Sequence, residues 1–544
     1  MLQPVNTKWL PHLTKEVVSE IENNYLDAYV VALEGWRRGL TLKWHVKDSE
    51  KFKDMKTWYV DNPGQLFSLH SKERSHYFFR TRGDKVTNEA VEIGMDKEKT
   101  KEKLKEKGLP TPEGRGFGPE EGTEEIVAYV KQLGFPVVIK PIDGSFGRGV
   151  WTNIKTEEEC RRVIAELRQK IGTEKLLVEK YVDGKDYRLY VVENEVVGAI
   201  LRVPPNVTGD GRQTIEELIA RKNEERSLNP RLSTTLIPVD EELVSYLSSH
   251  GYHLTSVPAE GEIVYLSDKG NISLGGEPVD VLDDLSEEVK RLAVDALQAV
   301  PGLLHGAVDL MVETDSSGKE QAFVIELNPT AQLGGLLFPM RGKPRDIPKA
   351  IIDYYFPETK DIETDREKIY FDYYDVLEPL NSRQGHISTV SPAPVGTIHM
   401  KRYIVYGDVL NHGYHLGLRK QAFERGLHGF VSILDENSIE IVVAGQDPEM
   451  LDDFVHGITE DEERATVTEI KEEPYDGFVK VGFDSRANFR TLEHEMHSLR
   501  EELKELNEEI KALEIKRRKY HRSMSWKLTA PIRFFGAIVK GKNY

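Results

Sequence analysis

The chain has almost no cysteine, with Cys160 as its single one in 544 residues. One cysteine excludes an internal disulfide framework and a thiolate zinc site, and it suits a reducing compartment. Apolar runs are also short, and none approaches the roughly 18 residues that a membrane-spanning helix requires. The opening stretch MLQPVNTKWLPHL lacks the basic-then-apolar pattern of a signal peptide. We therefore expect a cytoplasmic protein.

Net positive charge is missing as well, because the formal charge is −19 at pH 7. This acidic balance argues against general nucleic-acid binding. The charge is uneven, however, since residues 516–544 contain nine lysines and arginines and no acidic residue. Aromatic and aliphatic residues interleave with these bases, a combination that suits the anionic inner face of a membrane. A solvated basic tail is the alternative.

A chain of 544 residues is too long for one core, so several domains are expected. Helical and strand patterns alternate through the longest stretch, as in an enzyme core, and the whole is predicted to be an α+β multidomain protein. A later stretch has the β-α-β-β-α-β order of a ferredoxin-like α/β sandwich. The predicted units are an N-terminal α/β domain (1–90), the core (91–355), a linker (356–395), the sandwich (396–484), a coiled coil (485–518) and a basic amphipathic tail (519–544).

Residues 487–516 have the clearest periodicity of the chain, with apolar residues spaced alternately three and four apart over four heptads. All d positions of these heptads are leucine, a pattern that predicts a coiled coil and favours a dimer. The alternative is one amphipathic helix that packs on its own protein. The apolar positions are Phe489, Leu492, Met496, Leu499, Leu503, Leu506, Ile510 and Leu513.

The stretch FPVVIKPIDGSFGRGV places Lys140 at the end of a predicted buried strand and follows it with a glycine-rich loop. A lysine and a flexible loop of backbone N–H groups can together hold a triphosphate. The loop is not of the Walker type, because its lysine precedes the glycines, and no GxxxxGK[ST] motif occurs in the chain. An ordinary turn is the alternative.

Polar side chains interrupt two apolar strands further along. Asp309 lies in GAVDLMVE, and Glu326 and Asn328 lie two residues apart in FVIELNPTAQLGG, hence on one face of a strand. Carboxylates on buried strands are costly unless they are paired or bind a metal. Carboxylate and amide oxygens suit Mg²⁺ that is shared with substrate phosphates. Pairing with lysine or arginine is the alternative.

Together these stretches resemble the ATP-grasp superfamily, in the branch of cyanophycin synthetase and of the ligase domain of bifunctional glutathione synthetases. The resemblance covers residues 90–345 and follows the order of the family's motifs. The motifs that carry it are DKEKTKEKLKEKGLPTP, FPVVIKPIDGSFGRGV, LLVEKYVDGKDYRLYVV, AILRVPPNVTGDGRQTIEELI, NISLGGEPVDV, GAVDLMVE and VIELNPTAQ.

The resemblance implies where ATP binds. Lys97 and Lys140 match lysines that contact the phosphates, and the loop 143–149 matches a flap that closes over them. Residues 179–182 match the hinge that contacts adenine, mostly through backbone groups, and Asp186 matches the residue that binds the ribose. The implied ATP-binding residues are Lys97, Lys140, Ser145, Gly147, Gly149, Glu179, Lys180, Tyr181, Val182 and Asp186.

The resemblance also implies the reactive centre. Arg188 and Arg202 match catalytic arginines that face the phosphates and the acyl phosphate. The metal ligands would be Asp309, Glu326 and Asn328, holding two Mg²⁺ ions, with Mn²⁺ as an alternative. Gly275 and Gly276 lie in a segment similar to one that lines the site of the substrate carboxylate.

The implied activity is that of an ADP-forming ligase, which joins a carboxylate to an amine through an acyl phosphate. The expected substrates are an amino acid or peptide and a small amine. The full-length relatives have further domains, for which this chain lacks room. The substrates of those relatives are therefore not assigned to this chain. The short stretch SWKLTAPIR resembles a segment of bacterial polysaccharide glycosyltransferases, which suggests work near envelope or peptide-polymer synthesis.

Residues 399–484 resemble acylphosphatase through KRYIVYGDVLNHGYHLGLRKQAFERGLHGFVSIL. His415 stands at the family's catalytic arginine and Ile433 at its catalytic asparagine. Loss of the guanidinium removes bidentate phosphate binding, so we expect an inactive domain. His412 and His415 could still donate to an anion.

Two other functions stay open on the sequence. The chain could be a non-catalytic ATP-binding scaffold or sensor, or an acylphosphatase with an ATP-binding accessory domain. The intact lysines and metal ligands speak against the first function. The replacements at His415 and Ile433 speak against the second.

Overall fold

A computed structural model describes most of the chain. The described residues are 9–18, 21, 23–142, 149–170, 175–410, 414–435, 437–460, 463–486 and 502–516. Within them the chain forms two compact units, one from residues 1–399 and 476–481 and the other from 400–475 and 482–544. No helix among the described residues is both long and apolar enough to cross a bilayer.

The first unit is built from helices and several sheets. Its helices are α1 (Lys15–Val18), α2 (Asn23–Arg37), α3 (Asn88–Met95), α4 (Lys97–Glu106), α5 (Thr123–Leu133), α6 (Glu157–Lys170), α7 (Ile215–Leu228), α8 (Glu241–Ser249), α9 (Glu287–Gln298), α10 (Gly334–Leu337), α11 (Ile347–Tyr355) and α12 (Tyr373–Asn381). Short 3₁₀ turns occur at Glu50–Phe52, Ile272–Leu274 and Pro357–Thr359.

The strands of this unit are β1 (Thr41–His45), β2 (Leu66–His70), β3 (Ser75–Phe79), β4 (Arg82–Gly83), β5 (Gly114–Phe117), β6 (Val137–Pro141), β7 (Trp151–Ile154), β8 (Leu176–Lys180), β9 (Lys185–Val192), β10 (Glu195–Val203), β11 (Asn206–Thr208), β12 (Ile263–Tyr265), β13 (Glu277–Asp280), β14 (His305–Thr314), β15 (Glu320–Asn328), β16 (Ile369–Tyr370) and β17 (Ile387–Thr389). The strands predicted around FPVVIK, LLVEK and DYRLYVV are confirmed as β6, β8 and β9.

Two sheets of the core follow each other along the chain. The first has the order β5-β8-β6-β7, and the second, the central sheet, has the order β13-β10-β9-β14-β15. Helices α5 and α6 cover the first sheet with a core that includes Val130 and Leu167. Residues 181–184 connect β8 of the first sheet directly to β9 of the central sheet, so the connection between the two sheets is short.

One face of the central sheet is apolar, and the other, the divided face, is apolar at one end of the strands and polar further along. Leu189 and Val308 belong to the apolar face, which packs against α9 and α3. On the other face, Tyr190 and Ala307 lie in a core shared with α2 and α11. Because alternate side chains of a strand share a face, Asp309 lies on this same face, two residues beyond Ala307. The divided face therefore changes from apolar to polar along the strands.

Residues 356–395 were predicted as a linker, and the structure corrects this prediction. Strand β17 pairs antiparallel with β1, which joins these residues to the N-terminal sheet β17-β1-β2-β3-β4. Tyr29 donates to the carbonyl of Phe371 at 3.0 Å, and Trp36 donates to the carbonyl of Ser391 at 2.7 Å. Phe371 and Tyr373 of the segment are buried with α2, so burial of apolar area holds it in place.

The same core also crosses the predicted boundary at residue 90. Leu33 of α2 and Leu337 of α10 belong to one apolar cluster, although they are more than 300 residues apart in the chain. The larger apolar cluster of the first 90 residues is therefore shared with the loop and helices that follow β15, while a smaller cluster around Phe52 and Phe79 is their own.

The second unit has the predicted ferredoxin-like order. Its elements are β18 (His399–Asp408), α13 (Tyr414–Glu424), β19 (His428–Asp435), β20 (Ser438–Gly445), α14 (Pro448–Thr459), β21 (Thr466–Pro474) and β23 (Phe483–Arg486). Strand β22 (Val479–Lys480) belongs to the first unit, where it pairs with β16. The sheet order is β21-β18-β20-β19-β23, with β23 parallel to β19. Residues 502–516 form a further helix.

Candidate active site

A buried ion pair lies at the centre of the polar part of the central sheet. Arg188 on β9 and Asp309 on β14 face each other in the strand register. Arg188 Nε donates to Asp309 Oδ1 at 2.8 Å, and its Nη2 donates to Oδ2 at 2.9 Å. This bidentate geometry is the strongest arrangement for a guanidinium and a carboxylate. It fixes both side chains at one place on the sheet.

Arg202 on β10 connects two carboxylates of this face. Its Nη2 lies 2.6 Å from Asp186 Oδ1 and 3.0 Å from Asp309 Oδ2. The two predicted catalytic arginines therefore contact the same buried aspartate. The structure brings together side chains from three neighbouring strands. The most distant of them in the sequence, Asp186 and Asp309, are 123 residues apart.

Glu326 and Asn328 extend this cluster onto β15. Glu326 lies directly opposite Asp309 in the antiparallel register. Asn328 Nδ2 donates to Glu326 Oε1 at 3.0 Å, which leaves the amide oxygen of Asn328 as an acceptor for another group. The three predicted metal ligands are therefore neighbours at the same end of two paired strands.

The charges of the cluster shift the pKa values of its carboxyl groups. Asp309 is 1% exposed, and burial by itself would raise its pKa. The guanidinium groups of Arg188 and Arg202 outweigh that effect and hold the pKa of Asp309 below its ordinary value. For Asp186 the balance is reversed, because burial raises its pKa more than Arg202 lowers it. Asp309 is thus held ionised.

These residues fit a divalent cation. Among the described residues, no group of three Asp, Glu, His or Cys side chains could hold a metal. The trio is not such a group, because it has two carboxylates and one amide. Its donors are all oxygens, the type that Mg²⁺ prefers. Asp309 also contacts both arginines, so a bound cation would share this carboxylate with them.

A second buried charge cluster lies on the first sheet. Glu179 on β8 bridges Lys140 on β6 and Lys101 on α4, and each of the three residues is less than 7% exposed. Lys101 also donates to the carbonyl of Pro112 at 2.7 Å. Burial by itself would raise the pKa of Glu179, but Lys140 and Lys101 hold it below its ordinary value. The cluster has one more positive than negative charge.

Lys101 is the residue that the sequence analysis missed in this cluster. The resemblance pointed to Lys97, four residues earlier, and the highly charged stretch KEKTKEKLKE hides which lysine is buried. Asp96 caps α4 through the backbone N–H groups of Glu98 and Lys99, and this cap fixes the start of the helix. Once that start is known, Thr100, Lys101 and Leu104 fall on the buried face.

The other predicted phosphate and adenine residues lie around this cluster. Lys97 Nζ donates to the carbonyl of Ile142 at 3.0 Å, next to the glycine-rich loop. Lys180 Nζ donates to the carbonyls of Gly134 and Phe135 at 2.9 and 3.1 Å. The backbone N–H of Tyr181 donates to the carbonyl of Pro136, so this group of the hinge already has a partner.

The remaining predicted residues differ in what the structure describes. Val182 is 8% exposed at the hinge. Gly149 has φ +70°, a conformation that favours glycine, where the chain returns to β7. Ser145 and Gly147 lie outside the described residues, as does the rest of the loop 143–148.

The predicted substrate segment contacts the same region. Gly275 has φ +97°, and a Cβ at Gly276 would overlap the carbonyl oxygen of Gly270. A Cβ at Gly270 would in turn overlap the backbone oxygen of Arg202. The tight turn around these glycines therefore brings the segment against the strand that carries Arg202.

Parts of the chain are similar to known proteins. Residues 94–226 match the family model described as the RimK-like ATP-grasp domain. The chain is 35% identical to cyanophycin synthetase of Trichormus variabilis over 282 residues, which are 51% of this chain and 31% of that protein. It is 30% identical to the glutathione biosynthesis bifunctional protein of Desulfotalea psychrophila over 300 residues, or 54% and 38% of the two chains.

The homology therefore extends beyond the ATP-grasp match, but the chain spans only about a third of the length of these relatives. A solved bifunctional glutathione synthetase from Pasteurella multocida aligns with a TM-score of 0.42 and 28% identity, over 54% of this chain and 41% of that one. Residues 401–485 match the acylphosphatase family model, in the second unit.

Replacement of Lys101 by alanine is expected to raise the KM of the ATP-grasp domain for ATP about tenfold, a change of ~1.4 kcal/mol. The carboxylate of Glu179 would then be paired with Lys140 alone. Less of the positive charge of the cluster would be available to the ATP phosphates. Steady-state kinetics at varied ATP concentration measures the change. Lys105→Ala, on the exposed side of α4, is the matched control. An unchanged KM in Lys101→Ala would contradict a role of Lys101, Glu179 and Lys140 in binding the ATP phosphates.

Proposed function

We propose that the chain is an ATP- and Mg²⁺-dependent ligase that joins the carboxylate of an amino acid or peptide to an amine. The observation that supports this most is the cluster on the central sheet. It groups two arginines with Asp309, Glu326 and Asn328 inside a chain that is homologous to cyanophycin synthetase.

The proposed reaction has two steps. An oxygen of the substrate carboxylate attacks the γ-phosphorus of ATP, the bond to the β-phosphate oxygen breaks, and ADP leaves. The amine nitrogen then attacks the acyl carbon, the bond to the phosphate oxygen breaks, and phosphate leaves while the nitrogen loses a proton. The first step brings negative groups together, so the positive charges of Arg188 and Arg202 would offset their repulsion.

Asp309, Glu326 and Asn328 would hold two Mg²⁺ ions, with Mn²⁺ as a substitute. Bound there, the cations would neutralise the charge that develops on the phosphate oxygens. Arg188 and Arg202 keep Asp309 ionised, as their contacts and its lowered pKa indicate. Lys140 on the first sheet and Lys97 at the start of α4 would hold the phosphates, and residues 179–182 would hold the adenine.

An assay of ADP release tests this function. The full-length protein with ATP and Mg²⁺ is incubated with pairs drawn from amino acids, dipeptides and simple amines. We expect at least one pair to stimulate ADP release, with one amide formed for each ADP. Tight ATP binding without stimulation by any pair would contradict the ligase and favour the scaffold or sensor.

The acylphosphatase-like unit is proposed to be inactive as a phosphatase. His415 is the second residue of α13, and Ile433 on β19 is 45% exposed. Neither side chain can replace the bidentate guanidinium or the amide of the family. Hydrolysis of benzoyl phosphate by the protein would show that the unit is active and would revive the acylphosphatase alternative.

The C-terminal helix is proposed to form a parallel coiled-coil dimer. Residues 502–516 are helical, and Leu503, Leu506, Ile510 and Leu513 on it are at least 50% exposed. The other predicted apolar positions, from residue 489 to 499, lie outside the described residues. A stripe of exposed leucine and isoleucine at these spacings is what a partner helix would cover.

Replacement of Leu506 and Leu513 by lysine is therefore expected to halve the mass of the particle in solution. Two charges at d positions would lie unpaired in the seam of the coiled coil. Light scattering after size-exclusion chromatography measures the mass. Glu508→Lys, on the outer side of the same helix, is the matched control. A wild-type mass equal to that of the monomer would exclude the dimer.

The basic tail 519–544 lies outside the described residues. On its composition we propose that the protein is cytoplasmic and that the tail binds the inner face of the membrane, in keeping with a role near envelope or peptide-polymer synthesis. Co-sedimentation with anionic vesicles, compared for the full chain and for a chain ending at residue 518, tests the proposal. Equal sedimentation of the two would contradict it.

A further inference from the structure

Arg231 is a buried arginine with an unused donor. It is 5% exposed, and its Nη2 donates to Gln332 Oε1 at 3.0 Å and to Ser273 Oγ at 3.3 Å. Its Nη1 is buried and has no hydrogen-bond partner among the described residues. A guanidinium is always charged, and a buried charged donor without a partner is costly. The structure therefore retains a cationic group that a ligand could satisfy.

The position of Arg231 connects two parts of the proposed active site. Ser273 belongs to the segment that ends at Gly275 and Gly276. Gln332 lies in the loop that follows Asn328, the last residue of the metal-binding trio. The backbone of α10 leaves room for this arginine, since a Cβ at Gly334 would overlap Arg231 Cδ. Arg231 thus lies between the substrate segment and the loop next to the metal ligands.

Helix α2 of the N-terminal region supports the same loop. Asn24 Oδ1 accepts a hydrogen bond of 3.0 Å from Gln332 Nε2, and Asp27 Oδ1 accepts one of 2.8 Å from the backbone N–H of Leu333. A chain of hydrogen bonds therefore runs from Asn24 through Gln332 to Arg231. These residues of α2 lie outside the part of the chain that matches the ATP-grasp family model.

The charges around Asp27 leave an excess of positive charge. Asp27 is 2% exposed, and burial raises its pKa to about 6, while Arg231, Arg80 and Arg188 act in the opposite direction. Arg188 is already paired with Asp309. One buried carboxylate thus lies near two further guanidinium groups. A further anion could bind there without giving these groups a net negative charge.

We propose that Arg231 binds a second, non-reacting carboxylate of the substrate, as in the α-carboxylate of an amino acid or the free terminus of a peptide. This inference rests on the proposed ligase function and names the group that its site recognises. Nη1 of Arg231 donates to the carboxylate, and Gln332 holds the guanidinium in position. Asn24 and Asp27 hold the loop, so α2 takes part in substrate selection without contact to ATP.

The test combines a variant with a change in the substrate. Binding of amino acids, dipeptides and their terminal amides to the full-length protein is measured by calorimetry, with Mg²⁺ and a non-hydrolysable ATP analogue present. In the wild type, the amide should bind ~10- to 100-fold more weakly than the free acid, as for a lost charged hydrogen bond. In Arg231→Lys the acid should lose this advantage, while the affinity for the ATP analogue stays within about twofold.

Control variants separate this role from folding. Arg221→Lys changes an arginine that is paired with Asp210 on the surface, and it should keep the full difference between acid and amide. Asn24→Ala removes the support of Gln332 and should reduce the difference, even if Arg231→Lys fails to fold. Thermal unfolding of each variant shows which of them are folded.

The outcomes distinguish the two proposals. Turnover in the ADP assay with an unchanged acid-to-amide ratio in Arg231→Lys would overturn the role of Arg231 and leave the ligase intact. Carboxylate-dependent binding that Arg231→Lys abolishes, without turnover of any pair, would support the site and overturn the ligase. A wild-type protein that binds acids and amides equally, or binds neither, would overturn the site.

Discussion

Replacement of Glu326 by glutamine is expected to lower the kcat of ADP release by about 10²- to 10³-fold. Glutamine has the same shape and keeps the acceptor for Asn328 Nδ2, which now lies 3.0 Å from Glu326 Oε1. What is lost is the negative charge opposite Asp309, and with it part of the proposed cation site. The KM for ATP should change much less than kcat, because Lys140 lies on the other sheet and Lys97 on α4.

The matched control for this variant is Glu320→Gln on the same strand. Glu320 lies at the opposite end of β15, where it accepts a hydrogen bond of 2.7 Å from Ser286 Oγ. It should keep a kcat close to that of the wild type. A Glu326→Gln protein that is folded and retains more than about a tenth of the wild-type kcat would remove Glu326 from the proposed centre.

Replacement of Arg188 by alanine is expected to destabilise the protein by about 3 kcal/mol. It would leave Asp309, which is 1% exposed, with Arg202 as its remaining cationic partner. Removal of one member of a buried ion pair is costly because the other charge stays buried without its partner. Urea or thermal unfolding measures the loss, and Arg221→Ala, at an exposed pair with Asp210, should cost less than about 1 kcal/mol.

The loss should depend on pH in a defined direction. In the folded wild type the pKa of Asp309 lies below its ordinary value of about 4. Its ion pairs therefore contribute stability above pH ~4, and that contribution is lost as the pH falls through the lowered pKa. The difference between wild type and Arg188→Ala should be largest near neutral pH and should shrink in acid.

A double variant distinguishes charge from packing. Arg188→Ala combined with Asp309→Asn removes both members of the pair and leaves no uncompensated carboxylate. It should recover part of the stability that Arg188→Ala alone loses, and the pH dependence should disappear. If the double variant is as unstable as the sum of the two single variants, then the packing of Arg188, and not its charge, is what stabilises the sheet.

The sequence predicted well the parts of the site that depend on local pattern. The two-residue spacing of Glu326 and Asn328 places them on one face of a strand, and β15 confirms it. The alternation in DYRLYVV likewise places Asp186 and Arg188 on one face of β9. Period-two alternation is a property of the extended backbone itself, so it can be read without knowledge of the partner strands.

The pairing of these faces needed the tertiary structure. Pairing with lysine or arginine was the alternative to metal binding at Asp309, and the structure shows this pairing, with two arginines, while metal binding stays a proposal. Asp309 contacts Arg188 and Arg202 and lies opposite Glu326. The register between strands depends on contacts across more than 100 residues of chain, and no local pattern encodes that register.

The sequence alone determined the α+β character of the core, the ferredoxin-like order of the second unit and the two strands that carry the trio. The tertiary structure alone decided that Lys101 is buried with Glu179, that residues 356–395 complete the N-terminal sheet, and that α2 supports the loop beside Arg231. The physical reason is one of range. Propensity and periodicity act over a few residues, whereas a charge becomes costly or useful only through the distant groups that bury it.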